Sequence, residues 1–209
     1  MNALIVLGGQ KPSSGLLQEL AKRASLVLCA DSGLEAALEG GIRPDAVIGD
    51  MDSVSDHLLN RYASENGKVL RLPREKDDTD GVAVLDYAIG LGVKQITLTG
   101  ALGGRLDHAL ANCMLLVRAA NRGLSACIEE DGQHIELLRG FRKIEGHSGQ
   151  TFSLLSLGAA HVVSLEGAHY PLCDYAMRSD YPIGISNLFE TSCIRVEVDA
   201  GDVLFFQIK

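Results

Sequence analysis

Short apolar segments alternate with helical segments along residues 1–130, and this alternation restricts the fold more than any other feature of the sequence. The apolar segments include ALIVLGG, SLVLCAD, DAVIGD and QITLTG, each of which ends at a glycine or a carboxylate. Near-continuous apolar runs are typical of strands buried on both faces of a parallel sheet. Helical periodicity over residues 79–91 and 106–122, each followed by a glycine, predicts two of the intervening helices. The pattern predicts an α/β fold with an open, mostly parallel, Rossmann-like sheet flanked by helices.

The pattern of the sequence changes after about residue 130. Segments such as TFSLLSLG and CIRVEVDAG are short strand candidates separated by Gly, Pro, Asp and Ser, and no helix-length periodic segment remains. This pattern favours a small antiparallel sandwich or barrel. We therefore predict an α/β domain over residues 1–130 and a smaller all-β sandwich domain over residues 131–209.

Composition excludes several classes of partner. The 209 residues carry a formal net charge of -8, whereas a DNA or RNA partner requires a basic face. No apolar run of ~20 residues is present, so no transmembrane helix and no membrane partner are expected.

The N-terminus lacks a basic region and a cleavage site, which favours a first strand over a signal peptide. The five cysteines have no CxxC spacing, which argues against a zinc site or a disulfide framework and for the reducing cytoplasm.

Carboxylates follow four consecutive predicted strands. Parallel strands present their carboxyl ends at one edge, where open α/β sheets bind ligands. That edge would gather seven acidic side chains, namely Asp31, Asp50, Asp52, Asp77, Asp78, Asp80 and Asp107. Crowded carboxylates repel one another unless cations are bound. Hard oxygen ligands without neighbouring His or Cys suit Mg²⁺, so Asp50 and Asp52 are predicted to bind this metal.

A structural role is the alternative for several of these acids. Asp is a favoured N-cap residue, and the acids that precede predicted helices are Asp31, Asp77 or Asp78, and Asp107. Asp52 could cap a helix that begins near Val54. Asp50 would then have no capping role, so the pair is better explained by a shared cation.

A glycine-rich segment, GALGGRLDH, connects a predicted strand to a predicted helix. Gly100, Gly103 and Gly104 would let backbone N–H groups approach an anion, and the helix N-terminus adds a positive end. Arg105 could pair with phosphate oxygens, and Lys76 is a second candidate phosphate cation. The alternatives are a tight turn with a surface arginine and a solvated lysine.

Metal-binding acids, a glycine loop and two cations are the components of phosphoryl or pyrophosphoryl transfer, in which catalysis depends on positioning and charge stabilisation. Together the motifs resemble those of the thiamine pyrophosphokinase family, which has a strand-end GDxDS, a KDxTD and a GxxGGRxDH. In this chain they read GDMDS (49–53), KDDTD (76–80) and GALGGRLDH (100–108). ADSG (30–33) and GISNLFE (184–190) also match, so the resemblance spans most of the chain.

The resemblance implies an enzyme that transfers pyrophosphate from ATP to the hydroxyl of thiamine, giving thiamine diphosphate and AMP. It implies a catalytic, nucleotide-binding α/β domain, a thiamine-binding β-sandwich domain, and a homodimer with thiamine at the subunit interface. Mg²⁺ would be the metal and ATP the co-substrate. By match of motif, the Mg²⁺ ligands would be Asp50, Asp52 and Asp80.

The same motifs imply the remaining residue roles. Asp77 and Asp107 would orient the metal, its waters or the attacking hydroxyl, and either of them could be the base. The binding residues would be Arg105 and Lys76 for the phosphates, Asp31 and Gly33 for the nucleotide, and Ser186 and Asn187 for the pyrimidine of thiamine.

The chain departs from the family pattern near GISN. Leu188 stands where an acidic residue is expected, and Glu190 follows later. Because the chain has no Trp, the aromatic partner of thiamine would be Tyr181 or Phe189. Two other functions could use the same scaffold: a metal-dependent phosphohydrolase that activates water, and a non-catalytic nucleotide-binding protein.

Overall fold

The computed structural model describes residues 1–73, 78–158 and 161–209, without the side chains of 161 and 162. The chain divides into two compact units, Met1–Asp131 and Gly132–Lys209. The strands of the first unit are β1 (Asn2–Val6), β2 (Leu26–Ala30), β3 (Ala46–Gly49), β4 (Lys68–Arg71), β5 (Gln95–Thr99) and β6 (Ser125–Glu130). Its helices are α1 (Ser14–Arg23), α2 (Gly33–Glu39), α3 (Asp56–Ser64), α4 (Asp80–Gly90) and α5 (Leu106–Asn121).

The strands of the first unit form a parallel sheet in the order β6-β5-β1-β2-β3-β4. The chain moves outward from β1 to β4 and then crosses back to β5, on the other side of β1. This reversal places a topological switch point between β1 and β5, beyond whose carboxyl ends open α/β sheets bind ligands. The predicted α/β fold with a Rossmann-like sheet is confirmed.

The apolar strand sequences account for the core of this sheet. All four residues of β3 are buried, as are four of the five residues of β1. Leu4, Val6 and Val47 pack in one cluster with Leu17 of α1 and Leu34 of α2. Burying an aliphatic side chain of this size contributes about 1.5–3 kcal/mol relative to leaving it exposed. The helices therefore stay on the sheet through their apolar residues.

The two helices predicted from periodicity are present as α4 and α5. Thr79 caps α4, because its side chain accepts a hydrogen bond from the N–H of Val82 (3.3 Å). In α5 the buried face carries Leu115 and Leu116, whereas Leu110 and Met114 are exposed. Among the helices of the described ranges, none has the length and hydropathy needed to cross a bilayer.

The second unit is built from antiparallel strands. These are β7 (Gln133–Glu145), β8 (Thr151–Leu157), β9 (His161–Glu166), β10 (Leu172–Met177), β11 (Asn187–Leu188) and β12 (Cys193–Ile208). β7 pairs along both halves of β12, while the first half of β12 pairs on its other side with β9 and the second half with β8. The register shifts between Val198 and Val203, where the strand changes partner. Such an irregularity lets one strand serve two sheets of a sandwich.

Aromatic rings fill the core of the second unit. The ring of Phe152 meets the ring of Phe189 edge-on at 5.0 Å between centroids and lies 5.8 Å from the ring of Phe205. All three are buried, together with Leu154 and Val196. The all-β character predicted for this part of the chain is therefore confirmed by its strands and by their apolar filling.

Candidate active site

A cleft of about 1080 Å³ lies beyond the carboxyl ends of the parallel strands in the first unit. Its walls come from the loops after β1, β2, β3 and β5 and from the first turns of α4 and α5. The predicted residues that line it are Asp31, Asp50, Asp52, Asp78, Asp80, Gly103, Gly104, Arg105 and Asp107. Lys76 and Asp77 lie outside the described residues. The strand-end acids within the described ranges thus share one cleft.

Three carboxylates form the centre of this cleft. Asp31, Asp50 and Asp52 each offer an oxygen, and these atoms all lie within 4.8 Å of one another. The backbone N–H of Asp52 donates to Oδ1 of Asp50 (3.0 Å), which fixes the carboxylate of Asp50 beside Asp52. Met51, between them, has a φ of 66° and is buried. A left-handed backbone at a bulky residue costs about 1–3 kcal/mol, so the surrounding core holds this arrangement in place.

Asp31 is the most buried acid of the three, with 8% of its surface exposed. Within the described ranges, its Oδ1 is buried and has no hydrogen-bond partner. Burial raises the pKa of Asp31, a hydrogen bond with Ser53 lowers it, and the charges of Asp80, Asp50 and Asp52 raise it. A cation among these oxygens would offset the repulsion, and hard carboxylate ligands suit Mg²⁺.

Asp80 approaches the same cluster from the start of α4. A Cβ built on Gly49 would lie 3.3 Å from Oδ1 of Asp80 and 3.1 Å from Cβ of Asp31, so a side chain there would require these acids to shift by a few tenths of an ångström. Asp78, also in the cleft, is exposed and is not the cap of α4, which is Thr79. The capping alternative is therefore wrong for Asp78.

The capping alternative also fails for Asp31 and Asp107. Ser32 is the N-cap residue of α2, and the N–H of Leu34 donates to the backbone carbonyl of Asp31 (3.0 Å) rather than to its carboxylate. Asp107 lies within the first turn of α5, after the N-cap residue Arg105. Gly33, predicted to line the nucleotide site, instead packs against β1, because a Cβ there would lie 2.1 Å from the carbonyl oxygen of Val6. The structure therefore does not bring Gly33 to the cleft with the other residues.

In the glycine loop after β5, Gly100 does not have the anion-binding role predicted for it. The N–H groups of Gly100, Ala101 and Leu102 donate to the carboxylate of Glu130 at 3.3, 2.7 and 3.4 Å. Gly100 is thus a turn residue with a φ of 64°, and its N–H is already bonded rather than available to an anion. Within the described ranges, no acceptor bonds to the N–H of Gly103 or of Gly104. These two amides remain as anion donors next to the N-terminus of α5.

Arg105 and Asp107 form an exposed, two-point ion pair. Nε and Nη2 of Arg105 donate to the two carboxylate oxygens of Asp107 at 3.1 and 2.6 Å. The Arg105 guanidinium lowers the pKa of Asp107, and the carboxylate in turn raises the pKa of Arg105. Because a planar guanidinium binds phosphate in the same two-point manner, this pair can be exchanged for a phosphate group.

The predicted thiamine residues lie in the second unit and differ in exposure. The amide of Asn187 is buried; its Oδ1 accepts from the N–H groups of Tyr170 (3.0 Å) and Leu188 (2.8 Å), and its Nδ2 donates to the carbonyl of Tyr170 (2.8 Å). Ser186 is exposed, with a φ of 58°. Of the two aromatic candidates, Phe189 is in the core and Tyr181 is 63% exposed. Phe189 is therefore corrected to a core residue.

Comparison with known proteins decides the family. A family model described as "Thiamin pyrophosphokinase, catalytic domain" matches residues 17–128. The chain belongs to the thiamine pyrophosphokinase family. A second model, described as "Thiamin pyrophosphokinase, vitamin B1 binding domain", matches residues 141–203. The resemblance inferred from the motifs is confirmed, and neither alternative function is favoured.

Thiamine pyrophosphokinases from a plant and a bacterium are similar to almost the whole chain. Thiamine pyrophosphokinase 1 of Arabidopsis thaliana is 29% identical over 235 residues, covering 99% of this chain and 86% of the relative. The thiamine pyrophosphokinase of Bacillus subtilis is 28% identical over 186 residues, covering 88% of this chain and 87% of the relative. The crystal structure of thiamine pyrophosphokinase from Bacillus subtilis has a TM-score of 0.85 at 25% identity and covers 100% of this chain and 99% of that one.

Sequence reasoning missed three residues that shape the cleft of this thiamine pyrophosphokinase family member. Glu130 binds backbone amides of the loop that follows β5. Gln10 donates its N–H to the carbonyl of Leu102 (2.7 Å), and Asn112 donates Nδ2 to the carbonyl of Ala101 (2.7 Å). Their partners are backbone groups, which carry no residue-specific pattern. Glu130 stands at the end of the apolar segment SACIEE, and this place at a strand end, shared with the predicted acids, is the signal that could have indicated it.

Proposed function

We propose that this chain transfers the pyrophosphoryl group of ATP to the hydroxyl of thiamine with the help of Mg²⁺, giving thiamine diphosphate and AMP. The observation that carries the proposal is the cluster of Asp31, Asp50 and Asp52, whose oxygens lie within 4.8 Å of one another. The cluster lies at the carboxyl edge of a parallel sheet, where a nucleotide and its cation are expected. In this proposal residues 1–130 bind the nucleotide and residues 131–209 bind thiamine.

The proposed metal ligands are Asp50, Asp52 and Asp80. Asp31 lies beside them, and its unbonded, buried oxygen supports the presence of a cation or its bound water. The donor set consists of carboxylate oxygens, which fits Mg²⁺. When bound, Mg²⁺ would neutralise charge on the phosphates of ATP while the bond between the α- and β-phosphates breaks.

The proposed phosphate donors are the N–H groups of Gly103 and Gly104, the guanidinium of Arg105, and Lys76. In-line attack requires the β-phosphorus to be held still, and several donors from one loop achieve this. Arg105 would leave Asp107 when it binds a phosphate. The pKa of Asp107 would then rise from its lowered value, because the pairing with Arg105 is its main cause.

Asp107 and Asp77 are the two candidates for the base that accepts the proton of the thiamine hydroxyl. Release from Arg105 would make Asp107 a stronger base at the moment when ATP is bound. Asp77 is proposed only from its place in the motif KDDTD. Comparing Asp107→Asn with Asp77→Asn distinguishes them. Replacing the residue that accepts the proton should lower kcat and remove the acidic limb of the pH profile of kcat.

The proposed thiamine contacts are Ser186 and Tyr181. Tyr181 is exposed and offers a ring to a ligand that carries a fixed positive charge. The three bonds of Asn187 to backbone groups support a different role for that residue, which is to hold the GISNLFE segment in shape. This division is tested by the KM for thiamine, which Ser186→Ala and Tyr181→Leu should raise.

We also propose a homodimer, with thiamine bound at the interface between the subunits. Exposed apolar side chains in each unit support it, because such patches mark interaction surfaces. They are Leu106, Leu110 and Met114 in α5 and Tyr170, Tyr181, Ile183 and Ile185 in the second unit. Light scattering should give twice the chain mass of 22.3 kDa, and a monomer at working concentration would refute the dimer.

One assay separates the three candidate functions. The protein is incubated with ATP, Mg²⁺ and thiamine, and AMP, thiamine diphosphate and inorganic phosphate are measured. The proposal predicts AMP and thiamine diphosphate in equal amounts, both dependent on thiamine. Phosphate release without thiamine would indicate a hydrolase, and nucleotide binding without turnover would indicate a binding protein.

A further inference from the structure

We infer that Glu130 and Asp131 are positioning residues, which hold the two loops on either side of the switch point in the geometry that binds the triphosphate. The β1 loop is defined as residues 7–13 and the β5 loop as residues 100–105. Neither acid lines the cleft, so both would act through the loops. The inference rests on the proposed function, because it assumes that the triphosphate of ATP occupies this cleft.

Glu130 fixes the β5 loop. It is the last residue of β6, and its carboxylate is half-buried behind the loop. Oε1 accepts from the N–H groups of Ala101 (2.7 Å) and Leu102 (3.4 Å), and Oε2 accepts from that of Gly100 (3.3 Å). A carboxylate can accept several such bonds at once, and bonds to a charged group are stronger than neutral ones. Three consecutive amides therefore point toward β6.

Asp131 fixes the β1 loop in the same way. Its Oδ2 accepts from the N–H of Ser13 (2.8 Å), and its Oδ1 accepts from the hydroxyl of Ser13 (2.5 Å). The same hydroxyl oxygen accepts from the N–H of Leu16 and thereby caps α1. The end of β6 thus binds the last residue of one loop and the first three of the other.

The two loops are also joined directly. The N–H of Gly9 donates to the carbonyl of Gly100, and that of Gln10 to the carbonyl of Leu102, both at 2.7 Å. A Cβ built on Gly9 would lie 2.5 Å from each of those carbonyl oxygens, and one built on Gly103 would lie 2.6 Å from Cβ of Gln10. A side chain at Gly9 or Gly103 would therefore clash with the other loop. Because the two hydrogen bonds join the loops, we expect a shift of the β5 loop to displace the β1 loop.

Ala101 is held from two sides. Its N–H donates to Glu130, and its carbonyl accepts from Nδ2 of Asn112 in α5 (2.7 Å). Gly103 and Gly104, which line the cleft, follow two and three residues later in the same loop. Fixing Ala101 therefore sets where their amides lie. Because a misplacement of about 1 Å can cost about 100-fold in rate, this anchoring matters for the reaction.

The test compares Glu130→Ala, Glu130→Gln and the control Glu19→Gln. Glu19 is an exposed acid on α1 whose carboxylate bonds Arg23, so the control also removes one carboxylate but leaves the loops alone. Glu130→Gln keeps an oxygen for two of the three amides and places a donor opposite the third. The readouts are hydrogen exchange of the amides of Gly100, Ala101 and Leu102, with those of β2 and β3 as internal reference, and the KM values for ATP and thiamine.

The expected result is a graded loss on the ATP side. In Glu130→Ala the three amides should exchange at least about tenfold faster relative to the reference, and the KM for ATP should rise about tenfold. The KM for thiamine should change by less than about twofold. Glu130→Gln should fall between Glu130→Ala and wild type, and Glu19→Gln should match wild type. Asp131→Ala should raise exchange in the β1 loop instead.

Several results would overturn the inference. One is that folded Glu130→Ala keeps the amide exchange rates and the KM for ATP of wild type. Another is that only the KM for thiamine changes in this variant. If Glu130→Ala fails to fold, Glu130→Gln decides, and wild-type exchange together with a wild-type KM for ATP in that variant refutes the role. If wild type makes no thiamine diphosphate, the proposed function fails on its own; the affinity for ATP with Mg²⁺, measured by calorimetry, then replaces KM and decides the inference separately.

Discussion

The acid edge of the first unit, which consists of Asp31, Asp50 and Asp52, gathers side chains from distant parts of the chain. The GISNLFE segment of the second unit instead separates side chains that are neighbours in the sequence. Asp31 and Asp52 are brought within 4.8 Å by parallel strands that end at one edge. Ser186 and Asn187 are adjacent, yet Ser186 is exposed whereas Asn187 is buried, with 4% of its surface exposed. Sheet topology therefore builds the first region, and the local backbone builds the second.

The two regions also differ in how their polar groups are satisfied. At the acid edge, like charges lie together and Oδ1 of Asp31 has no partner among the described residues. The amide of Asn187 has three backbone partners. An unsatisfied, repulsive cluster is retained for binding, while a satisfied buried amide stabilises the fold. Substitutions should hence reduce activity at the first region and stability at the second.

The largest effect is expected from Asp52→Asn. We expect kcat to fall at least about 100-fold, on the scale of a lost charge-stabilising group, because a proposed metal ligand is removed. Stability should hold or rise slightly, since the substitution relieves carboxylate repulsion. AMP formation and thermal unfolding measure the two quantities. The control is Asp199→Asn, an exposed acid of the second unit, and equal activity of the two variants would contradict the proposed role of Asp52.

The next effect is expected from Asn187→Ala. It removes the three hydrogen bonds of a buried amide and leaves the backbone groups of Tyr170 and Leu188 without these partners, so we expect a loss of about 2–3 kcal/mol in the free energy of unfolding. Ser186→Ala should cost less than about 0.5 kcal/mol and should instead raise the KM for thiamine. Urea titration and steady-state kinetics measure the pair. Comparable stability of the two variants would abolish the contrast drawn between these neighbours.

The smallest effect concerns the charge of Asp31 in the Mg²⁺-free protein. Its pKa is raised above the ordinary value of 3.8, mainly by burial, so the native state binds this proton more tightly than the unfolded state. That contribution to stability is present below pH 3.8 and is lost as the pH rises through the raised pKa. Asp31→Asn should therefore gain stability relative to wild type as the pH rises above 3.8.

Addition of Mg²⁺ sharpens this prediction. A cation that binds only the native state stabilises it, so saturating Mg²⁺ at pH 7 should reduce the advantage of Asp31→Asn over wild type. Denaturant titrations of both proteins, with and without Mg²⁺, measure the difference. A stability difference that depends on neither pH nor Mg²⁺ would show that the charge of Asp31 is not a source of strain.

The strand-end rule explains why the acid edge could be predicted from the sequence. Apolar strands ending in GDMDS and CADSG fix which residues reach the carboxyl edge, whatever the details of packing. The same rule indicated Asp80, and the glycine-rich segment indicated Arg105; both line the same cleft. The α/β fold and the later antiparallel strands were predictable for the same reason, since hydrophobic periodicity reports the type of each element.

Other features depend on backbone contacts that leave no mark in the sequence. Glu130 binds three amides of the β5 loop, and any loop could have supplied them. That contact is also why the N–H of Gly100 is not available to an anion. Gly33 is required by the close approach of β1, and Asn187 by the backbone at Tyr170. A motif identifies such residues, but it does not show whether they contact the ligand or stabilise the local backbone.

A crystal structure with Mg²⁺, a non-hydrolysable ATP analogue and a thiamine analogue tests most directly whether the acid edge binds the cation of a triphosphate. The account predicts an ion about 2.1 Å from carboxylate oxygens of Asp50 and Asp52, with the phosphates next to Gly103 and Gly104. An analogue bound in another place, with those carboxylates touching neither the ion nor its waters, would contradict it.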